Sequence, residues 1–231
     1  YTTFAALTTL AFDYPPRAKL FRQELVELLL LAREENRPIL SYTGSYAGAM
    51  GLPQFMPSSR REYALDFDNN GKIDLAASPA DAIGSAAHFL AEHGWQKGGP
   101  IADRVTVSGD GIQALLDEGI TPQHRPSEFA ARNVIITKLG DGDTVPHDQP
   151  AALIDLITPD TPTEYRLGYQ NFYVITRYNR SSFYAAAVMD LAGALKKSTA
   201  FEPAYIHALM GIATSGLRWN AYRGKFLADE R

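Results

Sequence analysis

The chain has 231 residues, 22 Lys and Arg against 26 Asp and Glu, a formal net charge of −4, and no cysteine. That length suffices for one large domain, or one domain with a smaller lobe. The acidic balance and the lack of a Lys/Arg stripe exclude a general nucleic-acid binder, because phosphate tracking requires such a stripe. Without cysteine there are no disulfides, thiolate nucleophiles or Cys zinc sites, and the compartment stays open. No apolar run reaches the roughly 18 residues of a membrane span, and no signal peptide is visible. Tyr1 follows no initiator Met, so a processed form or a fragment is expected, with any leader or lipid anchor outside it.

Residues 2–12 carry apolar side chains at helical spacing and predict a helix. Asp13-Tyr14-Pro15-Pro16 ends it, since prolines remove donors and push the preceding residue out of the α region. Residues 17–35 predict a longer helix, with Leu20, Phe21, Leu25, Leu28 and Leu29 buried and Arg22, Glu24, Glu27 and Arg33 outward. After a loop over 36–44, residues 47–54 predict a short helix in which Gly48, Ala49 and Gly51 permit close backbone approach. Pro57-Ser58-Ser59 reads as a helix start, with Ser58 or Ser59 capping 60–65. Ser78 is the expected N-cap, and Pro79 the first residue, of a helix over about 79–93 that ends at Gly94 and turns Ile83, Ala87, Phe89 and Leu90 inward.

A strand is expected between residues 97 and 107, then a short helix over 112–118 ending at Gly119. Residues 132–138, 151–157 and 164–168 have strand composition, with turn residues 140–143 between the first two. Residues 171–179 begin a helix or an extended approach to one. Residues 182–197 predict an amphipathic helix carrying Phe183, Ala186, Ala187, Met189 and Leu191. The tail contains a further helix over about 203–212 and a basic aromatic segment at 218–223. The expected fold class is α+β, predominantly α, with a small antiparallel β insertion.

Two stretches carry chemistry. Asp66, Asp68, Asn70, Lys72 and Asp74 occupy alternate positions of a loop that has Gly71 at its sharp turn. This is the donor pattern of an EF-hand-like Ca²⁺ loop, in which Lys72 would contribute its carbonyl. Ala77 stands where a bidentate Glu is expected, and Asp81 is placed to supply that carboxylate. The role expected for the ion is structural. The other stretch is 45–58, SYAGAMGLPQFMPS, where glycines surround Gln54, Phe55 and Met56 as in the floor of a binding groove.

The 45–58 stretch resembles the signature of the lytic transglycosylase B family, soluble and membrane-bound enzymes that cleave peptidoglycan. The resemblance continues through the calcium loop, Asp81-Ala82-Ile83-Gly84-Ser85, His93-Gly94-Trp95, Asn171-Phe172-Tyr173 and Thr176-Arg177-Tyr178-Asn179, covering about residues 1–197. It implies a lysozyme-like helical core over 1–100 with the groove motif and calcium loop. A small β-containing insertion over 101–170 and a return to the core over 171–200 would come next. The tail over 201–231 resembles the family's N-terminal segment. The resemblance further implies periplasmic action, soluble or anchored to the outer membrane by a lipid, on glycan strands and stem peptides. One Glu would protonate the oxygen between N-acetylmuramic acid and N-acetylglucosamine. As a base it would then direct the muramoyl 6-hydroxyl onto C1, leaving a 1,6-anhydro end, whereas most glycosidases use two carboxylates.

By position, the resemblance assigns Ser45, Gln54, Phe55 and Met56 to the glycan cleft, with Gln54 on N-acetyl groups and Phe55 and Met56 in apolar contact. Tyr178, Asn179 and Tyr184 match further cleft residues, and Tyr222 reaches the cleft from the tail segment. Arg17 matches an arginine near the peptide or carboxylate part of the substrate; Pro16 replaces the second arginine that the family commonly has there. The family's acid lies in a helix before the segment matching residues 1–12, and no residue here takes its place. Glu24, Glu27, Glu34 and Glu35 read as a solvated face, Glu62 is the least implausible substitute, and a looser match puts Ala213 at the acid's position. A permuted or assembled chain would account for the tail. The alternative function is a catalytically silent peptidoglycan-binding module that keeps the groove and the loop.

Overall fold

The computed structural model describes residues 1–139 and 147–197. The turn residues 140–143, the tail elements, Ala213 and Tyr222 lie outside the described residues. The chain divides into two compact units, the first over residues 1–97 and the second from Gly98 onward.

In the first unit, α1 (Thr3–Phe12) packs on α2 (Ala18–Glu34), and the intervening prolines form a 3-10 turn, Pro15–Arg17. Leu7, Ala11, Phe21, Leu28, Leu31, Tyr42 and Met50 make the core. The buried face of α2 is rotated from the expected one. Leu20 and Leu29 are exposed while Glu24 is only 6% exposed. The ridge that meets α1 is Phe21–Leu28–Leu31–Ala32, which brings Glu24 to the flank where the next helix docks. That helix, α3 (Pro57–Tyr63), starts from Met56 as N-cap with Pro57 in its first turn, not from a serine cap. The proline presets helical φ, and the hydroxyl of Ser58 is taken elsewhere. Glu24 accepts from the Ser58 N–H at 3.0 Å and the Ser58 hydroxyl at 2.7 Å.

The other acids of α2 are engaged as well. Arg60 donates twice to Glu35, at 3.0 and 2.7 Å, and Glu35 also accepts from the Tyr42 hydroxyl at 2.7 Å and from Arg37 at 3.3 Å. Arg61 donates to Glu34 at 2.9 and 2.6 Å and also binds Glu27. The solvated acidic face is therefore an ionic seam between α2 and α3. Next comes α4 (Pro79–Glu92), whose N-cap Ser78 accepts from the Asp81 N–H at 3.2 Å, as its sequence predicts. Its inward residues are Ala82, Gly84, Ser85 and Phe89, and Ile83 is exposed.

The second unit is built on an antiparallel sheet of β1 (Ala102–Val107), β2 (Val134–Lys138), β3 (Ala152–Leu156) and β4 (Glu164–Gly168), in the order β2-β1-β4-β3. Arg104 of β1 and Ile154 of β3 both oppose Arg166 of β4. Between β1 and β2 lie α5 (Ile112–Asp117) and a helix the sequence did not announce, α6 (Pro126–Ala130), short but anchored by the buried Phe129. Val105, Leu115, Phe129, Val134, Leu153, Leu167 and Tyr169 form the core here. After β4 come α7 (Gln170–Tyr178) and α8 (Ser182–Lys197), which the structure groups with the sheet. On α8, Ala185, Ala186 and Gly193 are buried, and Phe183 and Leu191 are exposed. Small side chains let α8 approach β3, and buried Arg166 of β4 holds Asp190 at 3.1 and 2.7 Å and Glu164 at 2.6 Å. Mostly helical, with one small antiparallel sheet, the chain is an α+β protein. Among the described residues no helix is long and apolar enough to cross a membrane.

Burial, followed by the hydrogen bond to Glu35 and its charge, pushes the Tyr42 phenol up to about 12 from an ordinary 10.0. A phenol held neutral in the fold gives stability that is complete below pH 10. It is lost as pH rises towards 12, because only the unfolded chain ionises there. Urea midpoints taken across that window should fall more steeply for the native protein than for Tyr42→Phe.

Candidate functional site

The 47–54 stretch is a chain of tight turns, not the short helix its small residues suggest. Gly48 and Gly51 have φ of +85° and +69°, and Pro53 comes closely after them. Neither left-handed backbone nor an internal proline continues a helix. The glycines are also needed for space. A Cβ on Gly48 would lie 2.5 Å from Leu7, and one on Gly51 would lie 2.7 Å from the Leu75 carbonyl oxygen. Met50 and Phe55 close the turn by exchanging backbone bonds of 2.8 and 3.0 Å.

Gln54 stands at the tip of this turn, exposed and left-handed at φ 53°. That backbone costs a non-glycine residue roughly 1 kcal/mol, a strain that persists only where the surroundings impose it. Here the Met50–Phe55 pair imposes it from outside and Gly51 from inside. The Gly51 carbonyl accepts both the Gln54 N–H at 3.1 Å and its Nε2 at 2.8 Å. The side chain is thereby fixed by one bond, and its Oε1 has no partner among the described residues.

The neighbours of Gln54 play different parts. Phe55 is 2% exposed, with its ring 5.9 Å from that of Phe89. Its expected apolar contact with a sugar is corrected: a side chain this buried is core, and it anchors the turn from below. Met56 is partly buried against the α1–α2 core. The Ser45 oxygen accepts the N–H groups of Ala47 at 3.3 Å and Ala49 at 3.1 Å, which leaves its own O–H to donate. Arg17 is exposed, stacks 5.6 Å from the Phe21 ring, and makes no ion pair among the described residues.

Tyr178, Asn179 and Tyr184 belong to the second unit. Asn179 is the exposed C-cap of α7, and its carbonyl accepts the Ser181 N–H at 2.7 Å. Burial, with a smaller contribution from neighbouring Tyr184, holds the Tyr178 phenol well above its ordinary range. Both tyrosines are partly buried and close together, at the joint between α7 and α8. Beside them Arg177 stacks 4.4 Å from the Tyr173 ring.

In the acidic loop, Asp66, Asp68 and Asp81 each offer an oxygen within 4.8 Å of the others. Asp81 is fully buried. One of its oxygens accepts from Phe67 N at 2.9 Å and Asp68 N at 3.4 Å, the other from Asp74 N at 2.8 Å. Asp66 accepts from the N–H groups of Asn70 at 3.0 Å and Gly71 at 2.8 Å, with Gly71 at φ +89°. Asp74 stands outside the group. Its carboxylate takes the Lys72 ammonium at 2.8 Å and the amides of Ala77 at 2.9 Å and Ala76 at 3.1 Å, and the Lys72 bond first, then that of Ala77, holds it down at about 2. Three converging carboxylates repel one another when ionised. An all-oxygen donor set of that charge fits a hard divalent cation.

Loop and turn meet at a seam that the sequence did not announce. The Leu52 N–H donates to the Leu75 carbonyl at 2.8 Å. The fully buried side chain of Leu75 ends the loop beneath Gly51. On the other side, Phe67, between Asp66 and Asp68, lies so close to α4 that a Cβ on Gly84 would come within 2.3 Å of its ring. A glycine inside a helix is the one sequence signal that pointed there.

None of the acids in the ionic seam is arranged as a proton donor. Glu24 is bound by Ser58, Glu35 by Arg60 and Tyr42, and Glu27 and Glu34 by Arg61. The hydrogen bond from Arg61 holds the Glu34 carboxyl below its ordinary value. A general acid needs the opposite, a carboxyl raised by an apolar setting. Glu62 is exposed on α3, beside the Tyr63 phenol.

Residues 1–193 match the Transglycosylase SLT domain family, and the chain belongs to that family. It is 43% identical over 190 residues to the membrane-bound lytic murein transglycosylase B of Escherichia coli (strain K12), with 82% of this chain and 50% of that protein covered. Among solved structures, the soluble lytic transglycosylase SltB1 of Pseudomonas aeruginosa superposes with a TM-score of 0.71 at 47% identity, over 84% of this chain and 62% of that one. The Escherichia coli lytic transglycosylase Slt35 in complex with calcium gives a TM-score of 0.67 at 39% identity, over 85% of this chain and 60% of its own. The helical core with a small sheet is thus the lytic transglycosylase fold. The chain spans about half the length of the curated relative it matches.

Gly84→Ala should force the Phe67 ring out of its seat. The expected cost is about 2 kcal/mol, as for other overpacked sites, read as a lower urea midpoint. An unchanged midpoint would show that the ring moves freely and that Gly84 does not position the loop.

Proposed function

We propose that this protein is a lytic transglycosylase that cleaves peptidoglycan between N-acetylmuramic acid and N-acetylglucosamine and leaves 1,6-anhydromuramoyl ends. The observation that carries this reading is the Gln54 turn. A strained, exposed amide is held by one bond, at the tip of a turn inside the segment that matches the family. A preset amide can bind an N-acetyl group without losing further rotamer freedom, which is what preorganisation contributes to affinity.

In this reading Gln54 and the Ser45 hydroxyl bind the sugar, with Met56 at its apolar edge and Arg17 on its carboxylate or peptide part. Tyr178, Asn179 and Tyr184 are further glycan-binding residues in this reading. The proton on the glycosidic oxygen comes from a single carboxyl, which then takes the muramoyl 6-hydroxyl proton as that oxygen closes on C1. That carboxyl is not assigned to any described residue; those of α2 and its C-cap are committed to Ser58, Arg60 and Arg61. Stem peptides are part of the substrate. The place of action is the periplasm, with the protein soluble or lipid-anchored.

A Ca²⁺ ion is held by Asp66, Asp68 and Asp81, with the Asn70 side chain and the Lys72 carbonyl as further donors. It neutralises the three carboxylates and fixes the loop. The converging oxygens support this, and so does the calcium complex of the Slt35 relative.

Incubation of the intact protein with purified sacculi should release anhydromuropeptides, identified by mass spectrometry. Their absence removes the proposed reaction. Gln54→Ala should lower kcat/KM about tenfold, the worth of one neutral hydrogen bond to substrate.

Calcium at a hundredfold excess over its Kd should stabilise the fold by about 2.7 kcal/mol, seen as a raised Tm. Asp68→Ala should abolish that rise, and no rise at millimolar calcium removes the metal assignment.

A further inference from the structure

The cation loop and the Gln54 turn are joined by an unbroken chain of short bonds. The buried Asp81 carboxylate accepts the Asp74 N–H at 2.8 Å. One peptide further on, the Leu75 carbonyl accepts the Leu52 N–H at 2.8 Å. The preceding residue, Gly51, then holds Gln54 through both its backbone and its side-chain amide, at 3.1 and 2.8 Å. Gly51 cannot slide along this seam, because it already lies against Leu75 so closely that a Cβ would come within 2.9 Å of the Leu75 Cβ. The side chain of Leu75 is itself fully buried, so the contact is a packed joint and not a surface brush.

From this seam we infer that cation occupancy in the Asp66–Asp68–Asp81 loop sets the geometry of the Gln54 turn and thereby the affinity for sugar. The inference rests on the calcium and glycan readings given above. Asp81 serves both ends of the loop, through Phe67 and Asp68 on one side and Asp74 on the other. Three carboxylates with oxygens within 4.8 Å of one another repel when ionised, and only the N–H and O–H groups they accept oppose this in the absence of a cation. Relief comes by moving Asp66 and Asp68 apart, which pulls on the amides that Asp81 holds. A cation removes that repulsion and locks Asp74, hence Leu75, hence the left-handed Gln54. By linkage, sugar bound at Gln54 tightens the cation by the same factor. Leu75 and Leu52 are positioning residues in this scheme, acting on the sugar only through Gln54.

The test uses the intact protein with CaCl₂ or after chelation. Calorimetry measures Ca²⁺ binding and, separately, binding of a soluble N-acetylglucosamine oligomer. Amide hydrogen exchange is tracked at Leu52 and Gln54. The expected result is about tenfold tighter sugar binding with calcium, together with slower exchange at both amides. Asp68→Asn, at an exposed position that leaves the Asp81 bonds in place, should lose both responses. If Ca²⁺ binds while exchange at Leu52 and Gln54 is unchanged, the coupling is overturned and the metal assignment stands. If no Ca²⁺ binds, both fall. If the oligomer does not bind in either state, the glycan reading falls, and the exchange rates alone still decide whether the loop controls the turn.

Discussion

A fully buried carboxylate holds the first unit's two functional stretches in place. Asp81 gathers the amides of Phe67, Asp68 and Asp74 while sitting in the first turn of α4, where its charge also favours the helix N-terminus. A buried ionised group is costly unless hydrogen-bonded on all sides. Here the bonds come from both ends of one loop, so satisfying the charge folds the loop. The folded loop in turn sets the position of Leu75, and Leu75 sets the turn that carries Gln54.

The same logic explains how α3 is placed. Four glutamates of α2 and its C-cap face a short helix of only seven residues, too short to be stable alone. Ser58, Arg60 and Arg61 give those glutamates their partners, so α3 is held chiefly by charge-assisted bonds to a longer helix. Since α3 begins where the Gln54 turn ends, the ionic seam fixes the turn's exit as the Leu75 seam fixes its entrance. Acids committed in this way serve architecture, not proton transfer.

Periodicity located most of the helices well. The end of α1 is set by the proline pair, the start of α4 by Ser78 and Pro79, and β2 by its β-branched run. It misjudged faces. Leu29 and Ile83 were expected inside and are exposed, and Glu24 was expected outside and is buried, because a helical stripe is wide and its neighbour chooses which edge to cover. The turn at 47–54 read as helix because small residues are permissive. Only the positive φ of Gly48, Gly51 and Gln54, with Gly48 packed on Leu7 and Gly51 on Leu75, decides otherwise.

Sequence alone was enough for the family motif, the spacing of oxygen donors in the acidic loop, and the order of the longer helices and the strands, all of which are local patterns of side-chain type. Tertiary structure decided which of those donors converge, setting Asp74 apart from Asp66, Asp68 and the Asp81 that the sequence offered. It also decided that Phe55 is core while Gln54 is exposed, although the two are adjacent in the chain. The physical reason is the same in each case. Convergence and burial depend on contacts between residues distant in sequence, and a pattern of neighbours carries no information about which distant backbone group will come to meet them.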